Sequence, residues 1–257
     1  MIRIGLLTTL VFFQAGFAHA DDAKKGLEIA TSAEKYNDGY LGETSEMKML
    51  LVNAHGDKIE RKMTSKVSET KNDGDKSIIT FLWPADVKGT KMLTWTHKKE
   101  DDDQWLYLPS MKKVKRISSR SKTGSFMGSE FSYEDLGSQE VEKYKYKFVK
   151  DDELSGRKAW LIERYPNDEK SGYSKQLLWL DKQYYQPLKI EYFDRKKEKL
   201  KTALFSEFKK FGKKFWRAGK IEMKNHQTAK RSVLEWGNRK LGSKFSSMEF
   251  HKKNLTE

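Results

Sequence analysis

Beyond residue 20, four histidines offer most of the acid–base and metal chemistry this sequence could do: His55, His97, His226 and His251. They are scattered, and none shows metal-ligand spacing. Residues 124–128, GSFMG, look superficially like a nucleophile elbow. That motif needs serine at its centre, and here the centre is Phe126. Asp101-Asp102-Asp103 offers three carboxylates. It lacks the glycine and the bidentate glutamate that a calcium loop places at fixed offsets, so it reads as a solvated turn. Glu134-Asp135 is a carboxylate pair of the kind that does general acid–base work. It falls inside an amphipathic run, however, and reads as that run's wet face. There is no cysteine and no phosphate-binding glycine loop. A hydrolase needs a nucleophile with a base in reach, and this pattern supplies none. The reading is therefore a non-enzymatic protein with no cofactor and no metal.

What remains is binding, and the elements that would position it centre on residues 105–137, WLYLPSMKKVKRISSRSKTGSFMGSEFSYEDLG. Trp105 and Tyr107 alternate with Leu106 and Leu108, the period of a strand, until Pro109 ends the ladder. Residues 111–117 make a second strand whose exposed side is crowded by Lys112, Lys113, Lys115 and Arg116. These four form a candidate basic docking patch for an anionic membrane surface or an acidic partner, at about 1 kcal/mol per charge near lipid. They also suit a charged sheet edge that resists aggregation. A Ser/Gly-rich loop, residues 118–128, leads into an apolar patch of Phe126, Met127, Phe131, Tyr133 and Leu136. Apolar groups on a mobile segment suggest a lid.

Residues 1–20 read as a cleaved secretory leader: Arg3, an apolar run over 4–17, and a small-x-small site at Ala18-His19-Ala20. The run is shorter than the roughly 20 residues a spanning helix needs. Without cysteine there is no acylated anchor and no disulfide. The remainder, residues 21–257, reads as one soluble domain outside the cytoplasm, periplasmic in a diderm bacterium. Removing the leader takes one charge, Arg3, leaving 50 basic and 37 acidic residues and a net charge of about +13. That balance favours anionic partners, and export argues against nucleic acid.

A helix is expected from Asp21 or Asp22 to Asn37, with Leu27, Ile29, Ala30, Ala33 and Tyr36 as its apolar stripe. Beyond it, strand patterns recur every 10 to 14 residues or so with short turns, the pattern of an antiparallel meander curling into a barrel or half-barrel. Residues 200–211 and 215–223 are each expected as one strand, and only a short tail follows 229–237. A curled sheet has a concave face whose apolar groups must meet one another, a lid or a ligand. The candidate cavity and lid residues are Trp83, Leu93, Trp95, Trp105, Tyr107, Phe126, Met127, Phe131, Tyr133 and Leu136. Methionines such as Met47, Met49, Met63 and Met92 suit a pocket that adapts to acyl chains, as well as an ordinary core.

Five stretches carry a family resemblance: residues 84–95 (PADVKGTKMLTW), 101–119 (DDDQWLYLPSMKKVKRISS), 124–136 (GSFMGSEFSYEDL), 171–194 (SGYSKQLLWLDKQYYQPLKIEYFD) and 222–236 (EMKNHQTAKRSVLEW). In these the chain resembles the LolA-like family of outer-membrane lipoprotein-sorting proteins. The resemblance implies an incomplete, half-open antiparallel β-barrel, mainly β, with an N-terminal helix and a loop or helix lid of the LolA/LolB-like kind. It implies an apolar hollow for the acyl chains of lipoproteins or lipids, and traffic toward the outer membrane without turnover. The block over 105–136 has no match in the shorter carrier that gives the family its name. Members with this block are associated with RND-type inner-membrane exporters, so an exporter and an outer-membrane acceptor are the implied partners, with transient membrane contact. The alternative is an accessory protein of such an exporter with no cargo of its own. The resemblance assigns no individual ligand-contacting residue.

Overall fold

The computed structural model describes residues 15–256, with side chains from residue 20 onward. The leader assigned to residues 1–20 thus lies mostly outside the described residues. Helix α1 (Ala15–Asn37) starts upstream of Asp21 and Asp22, so neither aspartate caps it. Alanines at 15, 18 and 20 favour helix and carry it through. Its inward side is Ile29, Ala30 and Ala33, whereas Leu27 is 47% exposed.

The rest is β-structure. Strands β1 (Gly42–Val52), β2 (Lys58–Ser68), β3 (Lys76–Trp83), β4 (Lys91–Trp95), β5 (Asp103–Leu108) and β6 (Lys113–Ile117) pair in succession. So do β7 (Tyr144–Leu154), β8 (Arg157–Pro166), β9 (Tyr173–Asp181), β10 (Pro187–Asp194) and β11 (Lys199–Ser206). A short hairpin, β12 (Lys209–Phe211) with β13 (Phe215–Arg217), stands apart. Strands β14 (Lys220–Asn225) and β15 (Arg231–Leu241) complete one thirteen-stranded sheet in the order β6-β5-β4-β3-β2-β1-β15-β14-β11-β10-β9-β8-β7. The sheet is antiparallel and curved, and it does not close into a barrel.

The two long strands expected over 200–211 and 215–223 are each broken. Glu207 takes a left-handed φ of 57°, which an extended run cannot hold. Gly219 then lies where a Cβ would come within 2.8 Å of the Glu207 carbonyl oxygen. The chain leaves the sheet at the first point and rejoins it at the second, making the side hairpin.

Both margins of the sheet are managed. The free edge of β7 is covered by α1. The two backbones come close at Gly26, where a Cβ would lie 2.8 Å from the Phe148 amide nitrogen and 2.9 Å from the Lys147 carbonyl carbon. Alanine is the better helix former by about 1 kcal/mol, but here its methyl meets rigid backbone, and overpacking of this kind costs about 1–3 kcal/mol. Gly26→Ala should therefore lower the melting temperature by a few degrees; an unchanged or higher value would show that α1 is not seated on the strand this tightly. The edge of β6 is short, and its exposed residues are mostly basic.

Each face of the sheet carries its own apolar cluster. The larger, inner one gathers Met47, Met49, Met63, Phe81, Met92 and Leu106 with residues from α1, β7–β11 and the segment after β6. The smaller, outer one contains Leu93, Trp105, Phe250 and Leu255, flanked by Ile78, Trp95, Tyr107 and Phe245. Here the chain end, residues 243–256, folds back over β3–β5 in two 3-10 turns (Ser247–Phe250 and Lys252–Thr256). The Trp95 indole Nε1 donates to the Phe250 carbonyl at 2.7 Å. The expected short tail is thus a packed cover.

Candidate binding site beneath the crossing segment

Strands β6 and β7 are consecutive in the chain but sit at opposite margins of the sheet. The segment joining them, residues 118–143, therefore crosses the concave side. Its middle is a small hairpin. The Phe126 amide donates to the Phe131 carbonyl at 2.7 Å, and Ser125 and Ser132 pair across it. The tip, Met127 and Gly128, has φ of 50° and 78°; glycine adopts that geometry freely and methionine does not. Ser132 then caps a 3-10 turn (Tyr133–Leu136), with its amide donating to Asp135 Oδ2 at 2.7 Å.

Apolar side chains fix this hairpin in place. Phe126 is 1% exposed, tilted against Phe81 and edge-on to Tyr133, with ring centroids 5.8 Å apart in each case. Phe131 is buried in the same inner cluster, and Met127, Tyr133 and Leu136 pack against it. The segment expected as a lid packs its own rings onto the concave face.

Polar contacts tie it to strands all round the sheet. Arg61 on β2 donates to the Met127 carbonyl. Asn225, the last residue of β14, donates to Glu130 Oε2 at 2.7 Å, and Gln104 on β5 donates to the Tyr133 carbonyl at 2.9 Å. The Glu134 carboxylate accepts from the Gly172 amide at 2.9 Å and from the Ser171 hydroxyl. Burial raises the pKa of Glu134, and those two donors and Lys122 only partly oppose it. At the floor, Lys201 Nζ on β11 lies 2.6 Å from Asp135 Oδ2 and 3.0 Å from the Glu130 carbonyl, while the Tyr173 hydroxyl donates to Asp135 Oδ1 at 2.8 Å. Burial holds the hydroxyls of Tyr173 and Tyr192 well above the ordinary phenol range, reinforced by the charge of Asp135, so both stay neutral. Glu134 and Asp135 accordingly face inward, not to water as the amphipathic pattern suggests.

The other candidate residues lie elsewhere. Leu93, Trp95, Trp105 and Tyr107 belong to the outer cluster under the chain end. The alternation in β5 is as expected, but Leu106 and Leu108 are the pair facing the crossing segment. Trp83 is 49% exposed, 6.0 Å from Lys62 Nζ. Of the basic patch, Lys113 and Lys115 stand opposite Leu108 and Leu106, so they share the inner face. Arg116 stands opposite Trp105 on the other face and pairs with Asp103, and Lys112 occupies a left-handed turn at φ 49°. All four are exposed, but they do not form a single-faced patch. The Asp101–Asp103 run is not merely solvated: Asp102 pairs with Lys143 and Asp103 with Arg116. Sequence reasoning missed Lys201, Arg61 and Asn225. It also missed a trio of carboxylates, Glu34, Glu140 and Glu142, close enough to share a cation. The Lys98 ammonium stands at 3.5 Å from Glu34 and 3.8 Å from Glu142, in the role such a cation would play.

A domain assigned to the outer membrane lipoprotein-sorting proteins, from Vibrio parahaemolyticus, is 44% identical, with 91% of this chain and 100% of that one aligned at a TM-score of 0.90. The chain belongs to the LolA-like family. A DUF1329 family protein from Desulfovibrio piger matches this LolA-like chain at 29% identity, covering 91% and 99% of the two chains, with a TM-score of 0.87. A LolA superfamily protein from Nitrosomonas europaea shares the fold at 18% identity and a TM-score of 0.70, covering 89% and 98%. A family model described only as "Uncharacterized protein" covers residues 73–257 of the LolA-like chain. No curated protein matches it. Among its described residues no helix is long and apolar enough to cross a membrane.

Proposed function

We propose that residues 21–257 form a single-domain periplasmic carrier, exported by the leader at 1–20, that shields acyl chains of lipoproteins or lipids and moves them toward the outer membrane without chemical turnover. The observation that carries this reading is the crossing segment: the apolar floor of an open sheet is covered by one loop, not by a second sheet or domain. An acyl chain would take its place. One methylene corresponds to about 30 Å² of apolar surface. Three aromatic rings such as Phe126, Phe131 and Tyr133, at about 200 Å² each, therefore cover about as much surface as 20 methylenes. Exchanging the segment for one long chain is close to balanced in hydrophobic terms, which a reversible carrier needs.

On this reading the cargo site is lined from the segment by Phe126, Met127, Phe131, Tyr133 and Leu136 when closed, and by the floor they vacate when open. Trp83, Leu93, Trp95, Trp105 and Tyr107 serve the scaffold. Lys112, Lys113, Lys115 and Arg116, exposed on the β6 margin, are the proposed contact with a membrane surface, an RND-type exporter or an outer-membrane acceptor.

The absence of cysteine makes the test simple. Spin labels on the exposed positions 123 and 59, introduced as T123C and I59C, should report one short distance without ligand and a second, longer population when a lipid extract is added. Native mass spectrometry of the same sample should show bound lipid. A single unchanged distance, with no lipid retained, would remove the carrier reading. The accessory reading would gain if reversing the four basic residues to glutamate abolished partner binding while lipid had no effect.

A further inference from the structure

We infer that Lys201 is the receptor for the anionic headgroup of the cargo, and that Asp135 occupies its place in the closed protein. The inference rests on the carrier reading and specifies the class of ligand: an amphiphile with a carboxylate or phosphate at the end of its apolar chain.

Lys201 is 3% exposed, on the inner face of the sheet, with the rings of Tyr173 and Tyr192 each 5.2 Å from its ammonium. Lysine is almost never fully buried unless paired. Its acceptors, Asp135 Oδ2 and the Glu130 carbonyl, both belong to the crossing segment. When the segment leaves, the ammonium stays on the floor and its partners go. A buried cation without its anion is strongly unfavourable, so a chain bearing its own anion fits the vacated floor better than a neutral one.

A second observation points the same way. A hollow of about 240 Å³ already adjoins Lys201. The sheet lines it with Tyr173, Leu200, Lys201 and Asn225, while its two acidic residues, Glu130 and Glu134, come from the segment. Removing the segment takes both carboxylates away and leaves the Lys201 ammonium as the charge of the hollow, beside an apolar floor. The closed protein thus holds an internal stand-in for its ligand, a carboxylate together with aromatic rings.

Displacement of a neutral fluorescent probe, N-phenyl-1-naphthylamine, by four competitors tests this. Hexadecanoate and hexadecyl phosphate should displace it at about tenfold lower concentration than hexadecanol, the worth of one charge-assisted hydrogen bond. Inorganic phosphate should not displace it. Lys201→Met should bring the acid-to-alcohol ratio to about one. Asp135→Asn, with Lys201 intact, should widen it about tenfold; this arm keeps the test decisive if Lys201→Met does not fold. Equal displacement by acid and alcohol in wild type and in Asp135→Asn would overturn the inference while leaving a carrier of neutral chains. Displacement by inorganic phosphate at similar concentrations would overturn the amphiphile class. Failure of the probe to bind any variant would overturn the carrier reading, and this inference with it.

Discussion

Phe126→Asp should free the crossing segment while the thirteen-stranded sheet stays folded. The ring is 1% exposed and touches Phe81 and Tyr133. Losing it forfeits about 3–5 kcal/mol by analogy with Phe→Ala truncations, and a carboxylate put there without a partner adds a further penalty. The tethers nearest the ring, from Arg61 to the Met127 carbonyl and from Asn225 to Glu130, hold with about 1–3 kcal/mol each, less than the two penalties together. Hydrogen exchange over residues 124–137 should rise toward unprotected rates, while β1, β2 and β9 remain slow. Leu93→Asp is the matching control. Leu93 is 0% exposed but sits in the outer cluster under Phe250 and Leu255. That change should detach residues 243–256 and lower the melting temperature by about 10 °C, with the crossing segment still protected. If both variants released the same residues, the division into two faces would be wrong.

The second large effect is expected at the floor. The side chains of Lys201 and Asp135 are 4% and 6% exposed, and their charged atoms are 2.6 Å apart. Lys201→Met alone should cost about 3–5 kcal/mol in urea unfolding, because it strands a carboxylate in the interior. Asp135→Asn alone removes the counter-charge but keeps one oxygen, which the Ser132 amide and the Lys201 ammonium can share, and should cost less. Combining the two should cost clearly less than the sum, with a coupling of about 2 kcal/mol or more. Strict additivity would mean that the ion pair is not formed in solution.

The sheet itself was readable from alternation and turn residues, and so was the apolar character of the segment around Phe126 and Phe131. The faces were harder to read. Strand β5 presents Trp105 and Tyr107 on one side and Leu106 and Leu108 on the other, and both sides are covered. Period-two reasoning finds the strand but cannot say which side is inner, and that choice moves every side chain across. Nothing marked residues 243–256 as a cover, because KFSSMEFHKKNL reads as a polar tail. In β11 the apolar pattern suggests Leu200 and Leu204 as inward residues, yet Leu204 is exposed and Lys201 is buried. A lysine whose counter-ion is some 66 residues away in the chain gives no local sign of its burial. The same holds for Glu134 and Asp135, whose inward orientation is set by partners on β9, on β11 and just before β9.

The two margins of the open sheet are stitched together by the very loop that blocks its hollow. That loop cannot diffuse away once dislodged. It remains an intramolecular competitor, at an effective concentration on the order of millimolar, always ready to rebind. On the proposed carrier reading, loading has to displace it, whereas release would be spontaneous as soon as an acceptor loosens the cargo. Such a protein would reset itself after every delivery without nucleotide, ion gradient or any other fuel.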